Sequence, residues 1–265
     1  MNRRTVLSTL SFLTAGCLIF ACASSGLFTT WANNFRSPNA RFHRIAIFTD
    51  FTSVRPGESG VMIPVDESLD LGRTTSEQIA IELGALDYDI ASSDKLFIGS
   101  YAVEKMAVAE NRHSDSAVLE PPFHIDPDVT HKSSFENAVL QAFRQFAGMA
   151  AGGSDKIRDG ALDPAVARAL SAAYNVDAVV LAIGICRKIP GEPDTDGELN
   201  TSRLLQLRMS MLSIGIFHGY DGRLLWYGQR TFTTGQLGSV FKGIPKQLLT
   251  GFPKKGEGPY FPAPK

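Results

Sequence analysis

Ile19-Phe20-Ala21-Cys22 is a short run whose residue types fit one defined covalent chemistry. A branched apolar residue stands three positions before a cysteine, a small residue stands just before it, and Ala23-Ser24-Ser25-Gly26 follows. This is the pattern of a lipobox, where the cysteine sulfur accepts a diacylglyceryl group as a thioether and cleavage makes that cysteine the new N-terminus. The residues upstream fit export. Arg3 and Arg4 give a positive start, and Val6 to Phe20 carries no charge. Such a stretch is of signal-peptide type and falls short of the roughly 20 residues of a comfortable transmembrane helix. Cys17 is the competing acceptor, but Leu13 lies one place too early for it, and cleavage there would leave Leu18-Ile19-Phe20 at the start of the mature chain. Cys22 is the expected lipidation residue, with 1–21 a lipoprotein signal peptide and 22–41 a flexible tether. Two or more acyl chains hold a protein firmly where one binds marginally. The chemistry therefore predicts a domain held close to a membrane through its N-terminal lipid.

Other reactive groupings are weaker. Glu192-Pro193-Asp194-Thr195-Asp196-Gly197-Glu198-Leu199 places Asp194, Asp196 and Gly197 at the third, fifth and sixth positions of a calcium loop. The twelfth position, which should supply a bidentate Glu, is Arg203, and the first is Glu rather than Asp. A solvated acidic loop explains the run better. His124 to His131 holds two imidazoles and two carboxylates, donors that suit zinc, but neither histidine has a helical i, i+4 partner. Pro121, Pro122 and Pro127 mark that segment as an exposed loop. Gly57-Glu58-Ser59-Gly60 lacks the spacing of a nucleophile elbow, and in Gly148 to Lys156 the lysine follows Asp155 rather than glycine, unlike a phosphate loop.

The sequence thus predicts no catalytic residue, no metal ligand and no cofactor. Two alternatives stay open. A hydrolase built from distant residues such as Asp50, His124 and His218 requires these to converge. A carrier of a lipid or other small ligand requires an apolar cavity beyond ordinary core packing.

Composition agrees with a folded domain behind the anchor. The chain has 265 residues, 44% hydrophobic and 20% charged, near the soluble average. Removing 1–21 takes Arg3 and Arg4 from the 26 basic residues, leaving 24 against 27 acidic ones. That near-neutral balance, with no basic stripe, argues against nucleic acid as a partner. With Cys22 acylated, Cys186 stands alone in an apolar run and reads as a buried thiol.

The elements that must carry these residues follow from pattern. Arg44 to Phe48 predicts a strand, and Thr52 to Asp70, with Pro56, Gly57, Gly60 and Pro64, a long loop. Thr74 and Glu77 form a capping box opening a helix through Ile79, Leu83 and Leu86. Tyr88 to Ala91 predicts a strand and Leu96 to Val108 a helix. Ser133 and Glu136 open a helix whose Phe135, Val139, Ala142, Phe143 and Phe146 share a face. Asp163 caps and Pro164 opens another, with Asn175 to end it. Asp177 to Arg187 is a continuous apolar strand of the kind covered on both faces. Leu204–Phe217 and Leu224–Phe232 flank an Asp-Gly turn signal, a long β-hairpin. A last helix spans Leu237 to Leu249, around Pro245. Trp226, Tyr227 and Phe232 read as sheet-packing residues.

The entry Asn175-Val176-Asp177-Ala178-Val179-Val180 after a helix, and the return Tyr220-Asp221-Gly222-Arg223-Leu224-Leu225-Trp226, resemble the α/β domains of periplasmic lipoproteins related to the curli-secretion lipoprotein and the TolB N-terminal domain. Ile45-Ala46-Ile47-Phe48 and Leu86-Asp87-Tyr88-Asp89-Ile90 occupy matching places, and the resemblance covers 42–252. It implies an α/β (α+β) fold: one globular domain with a mixed β-sheet, a long C-terminal hairpin and helices packed on it. It also implies a role in envelope assembly, secretion or transport, with an envelope protein or further copies of the chain as partner, and carries over no catalytic residue. Residues 253–265 read as a Pro/Gly-rich tail. By similarity to sorted lipoproteins, Ala23 in place of Asp after the lipidated cysteine implies the outer membrane, facing the periplasm.

Overall fold

The computed structural model describes residues 27–31, 42–57, 60–99, 108–109, 124–125, 133–187, 209–233 and 237–256. Within these the chain is an α/β domain, helices packed on a mixed sheet. Its strands are β1 (Leu27–Trp31), β2 (Arg44–Gly57), β3 (Gly60–Met62), β4 (Asp89–Ile98), β5 (Val108–Ala109), β6 (His124–Ile125), β7 (Ala178–Arg187), β8 (Met209–His218) and β9 (Leu224–Thr233). The helices are α1 (Val65–Gly84), α2 (Ser133–Ala151), α3 (Gly153–Arg158), α4 (Pro164–Tyr174) and α5 (Leu237–Leu249).

The main sheet runs β1-β9-β8-β7-β2-β4-β6, with β2 parallel to both β7 and β4 and the β7-β8-β9-β1 side antiparallel. Two cores follow from the alternation of side chains across it. Ile45, Ile47, Phe51, Val180, Ile214, Ile216 and Trp226 pack with α1 residues Leu71, Ile79 and Leu83 and α5 residues Ile244 and Leu248. On the other face Phe48, Val179, Leu181, Phe217 and Tyr227 meet Val139, Phe143 and Phe146 of α2 and Val166 and Leu170 of α4. β7 is buried on both faces, as its unbroken apolar run requires. α4 carries both of its expected caps. Asp163 Oδ1 accepts from Ala165 N at 2.7 Å, and Asn175 ends the helix in the left-handed region at φ 51°.

Three expectations are corrected. The segment read as a loop continues β2 to Gly57 and returns as β3. Pro56 fits because β2 has by then left β7 and, among the described residues, pairs with β3 alone, where a missing donor is tolerated. α1 begins at Val65, so Thr74 and Glu77 lie inside it and cap nothing. Its first three turns were hidden because the buried positions Ser68, Gly72, Thr75 and Ser76 are small or polar. A Cβ on Gly72 would touch Phe51 Cβ at 3.4 Å, so the small residues let the helix lie close on β2. Leu96, Phe97 and Ile98 are strand, not helix, and Val108 belongs to β5. A short apolar run buried in a sheet has no periodicity to separate it from a helix.

Candidate functional site

Cys22, Cys17 and the signal peptide 1–21 lie outside the described residues. The region read as the tether 22–41 contains a strand: Leu27-Phe28-Thr29-Thr30-Trp31 forms β1, antiparallel to β9, with Leu27 opposite Arg230 and Trp31 opposite Trp226. The β-prone Phe28, Thr29, Thr30 and Trp31 were the available signal, and the absence of alternation and the Ser- and Asn-rich flanks masked it. Among the described residues β1 is an edge strand of the main sheet. Leu27 is 54% exposed and Phe28 is 42% exposed. The Phe28 ring centroid lies 6.1 Å from that of Tyr227, on the α2 face, and alternation puts Leu27 on the α1/α5 face. Beneath Phe28, Tyr227 Oη is 3.3 Å from Ser213 Oγ and donates to Gln229 Oε1 at 3.1 Å. Burial pushes the Tyr227 phenol up to about 12, so this hydroxyl stays a neutral donor and serves structure.

The opposite end of the sheet holds an open cleft of about 390 Å³ between the C-terminus of α4 and the β8–β9 turn. Its groups are engaged by the fold itself. The Arg168 guanidinium sits 5.6 Å from the Tyr220 ring centroid, and Ser171 Oγ donates to Gly219 O at 2.8 Å. Asp177 Oδ2 accepts from both His43 N and Arg44 N at 3.1 Å, fastening the start of β2 to the start of β7. With Arg168, Asn175, Asp177 and His218 on its wall, this is not the apolar cavity that a carrier needs.

Next to the cleft, Asp221 accepts from Arg223 Nε at 2.8 Å and Arg223 N at 3.1 Å, and its Oδ1 is 2.8 Å from His218 Nδ1. Burial raises the pKa of this carboxyl, but the Arg223 and His218 contacts outweigh it and bring the pKa down from 3.8 to about 2. A carboxyl whose pKa is depressed by folding stabilises the fold above its unfolded value, and that contribution disappears as the pH falls through about 2. Asp221 is partly exposed, so screening keeps the effect below about 1 kcal/mol. Asp221→Asn should therefore flatten the loss of unfolding free energy between about pH 4 and pH 2, read by urea denaturation.

Asp50 and His218 of the hydrolase alternative do not converge. Asp50 is fully buried, and its Oδ1 accepts from Gly99 N at 2.9 Å. Asp50 pairs in register with Ile183, which pairs with Ser213, whereas His218 pairs with Ala178. His218 is thus five residues along β8 from the Asp50 row, about 17 Å at strand rise. The His124 backbone pairs with Ile98 in β6, and its side chain lies outside the described residues, as do Asp126 to His131 and the acidic run Glu192 to Leu199. Among the described residues no group of three or more His, Cys, Asp or Glu could hold a metal ion. Cys186 is fully buried. Trp226 packs edge-on to Phe252 at 5.6 Å, and Tyr227 packs against Phe146 at 6.0 Å, so both serve the sheet. Among the described residues no helix is long and apolar enough to cross a membrane.

No protein-family model matches the sequence, and no curated protein matches it. Among solved structures the chain is similar to the PelC dodecamer from Paraburkholderia phytofirmans, with 10% identity over 87% of this chain and 98% of that chain, and a TM-score of 0.37. A single-residue variant of that dodecamer gives 10% identity, the same coverage and a TM-score of 0.35. Likeness at this level carries no functional argument for the present chain.

Proposed function

We propose that this chain is a lipid-anchored, non-enzymatic protein of the bacterial cell envelope, a scaffold or accessory component of an envelope assembly, secretion or transport system. Cys22 is the lipid acceptor, and no cofactor or metal takes part. The observation that carries this reading is the start of β1 at Leu27, five positions after Cys22. An extended chain reaches at most about 3.6 Å per residue, so Leu27 lies within roughly 18 Å of the anchor. Such a short connection keeps the start of β1 near the membrane and leaves the rest of the sheet free for partners. An envelope protein or further copies of the chain fill that role, and Ala23 after Cys22 favours the outer membrane, on its periplasmic face.

The test is the mass of the complex recovered in mild detergent from native membranes, wild type beside Cys22→Ala. A discrete assembly well above one chain, lost in the variant, is the expected result and identifies the partner. A monomer from wild type would overturn the accessory-component reading.

A further inference from the structure

We propose that Leu27 and Phe28, with Arg230 beside them, form the surface by which the domain lies against a phospholipid bilayer. This rests on Cys22 as the anchor and adds which face of the domain meets the lipid. Three observations converge on it. First, the connection from Cys22 confines Leu27 to within about 18 Å of the anchored residue. The headgroup layer is about 5–8 Å thick on each side of the hydrocarbon, so this connection lets the start of β1 reach the phosphates and holds it near them.

Second, the two large apolar side chains exposed there leave from opposite faces of one edge strand. Leu27 is 54% exposed and Phe28 42% exposed, and together they make an apolar tip. Water is a poor solvent for such a tip, and the interface between headgroups and acyl chains is a good one. Third, Arg230, half-buried, pairs directly with Leu27 across β1 and β9 and so shares its face of the sheet. A cation beside an apolar pair is the pattern of an interfacial contact, with the guanidinium on lipid phosphate and the hydrocarbon below it.

The rest of the molecule follows in orientation. The row Leu27-Arg230-Leu212 is six residues along β8 from His218, so the β8–β9 turn with exposed Tyr220 lies about 20 Å further from the bilayer.

The test uses the full acylated chain, purified from membranes and reconstituted in vesicles of phosphatidylethanolamine and phosphatidylglycerol. An environment-sensitive fluorophore is attached in turn to Phe28→Cys, Leu27→Cys and Tyr220→Cys. Wild type is the labelling blank, since Cys186 is buried and Cys22 carries the lipid. Thermal unfolding of each variant checks that the domain is folded, and intact mass checks acylation on the same samples. Lipid spin-labelled at the headgroup should remove most of the emission at positions 27 and 28 and none at 220. An acylated chain whose label at 27 and 28 is not quenched by lipid overturns the contact while leaving the anchor standing. If those labels are shielded in detergent as well and the mass doubles, the edge is covered by a second copy, which also overturns it. A chain that carries no acyl group sinks the anchor and this contact together.

Discussion

Cys22→Ser should incorporate no labelled palmitate, while Cys17→Ser incorporates as much as wild type. The sulfur is the only atom of the Cys22 site able to form the thioether, and a serine hydroxyl does not replace it. Each buried methylene of an acyl chain contributes about 0.8 kcal/mol to membrane binding, so two or three chains make retention effectively permanent and their loss all-or-none. Cys17 separates the two readings of the N-terminus. If it were the acceptor, the labelling pattern of the two variants would reverse. Metabolic labelling followed by immunoprecipitation reads both outcomes in one gel.

Gly222→Ala should destabilise the domain by about 3–5 kcal/mol, a large share of the 5–15 kcal/mol typical of a folded domain. Gly222 closes the β8–β9 turn with φ +74°, a conformation that costs any residue with a Cβ roughly 1–2 kcal/mol. The added carbon would also stand 2.4 Å from Leu162 O, a backbone atom that cannot swing aside. Relief requires the turn to part from the loop before α4. That breaks the bond from Leu162 N to Gly222 O at 2.8 Å and the neighbouring one from Leu224 N to Gly160 O at 2.9 Å. Those bonds join the hairpin to the helical layer, so the damage reaches the core around Leu162, Val166 and Leu224. Urea denaturation followed by far-UV circular dichroism measures the shift. An alanine variant within about 1 kcal/mol of wild type would mean that the turn relaxes freely.

The parts of the fold legible in the sequence are those where local chemistry and tertiary need coincide. α4 is an example: Asp163, Pro164 and Asn175 specify its two ends without help from the core, and the structure uses all three. β7 is another, since a strand covered on both faces must be apolar throughout. α1 shows the reverse. Its buried stripe includes Ser68, Gly72, Thr75 and Ser76, chosen for close approach to β2, and such residues carry no hydrophobic periodicity. Ser68 also turns inward to bond Ser53 N at 3.0 Å and Pro64 O at 2.7 Å, a role that looks like loop chemistry until the strand beside it is known.

The candidate site divides the same way. The proposed acceptor, Cys22, rests on a short linear pattern that needs no tertiary partner. The Leu27–Phe28 edge is not legible in that way, because five residues become a strand only when β9 is there to pair with them. Nor could spacing show that Asp50 and His218 sit on different rows of the sheet. That follows from register, which couples strands far apart in the chain.

The most direct measurement is the intact mass of the mature chain extracted from native membranes in detergent, with its N-terminal peptide sequenced by fragmentation. The account predicts a chain that begins at Cys22 and carries a diacylglyceryl thioether on that residue. A chain beginning at any other position, or one with an unmodified Cys22, would contradict it.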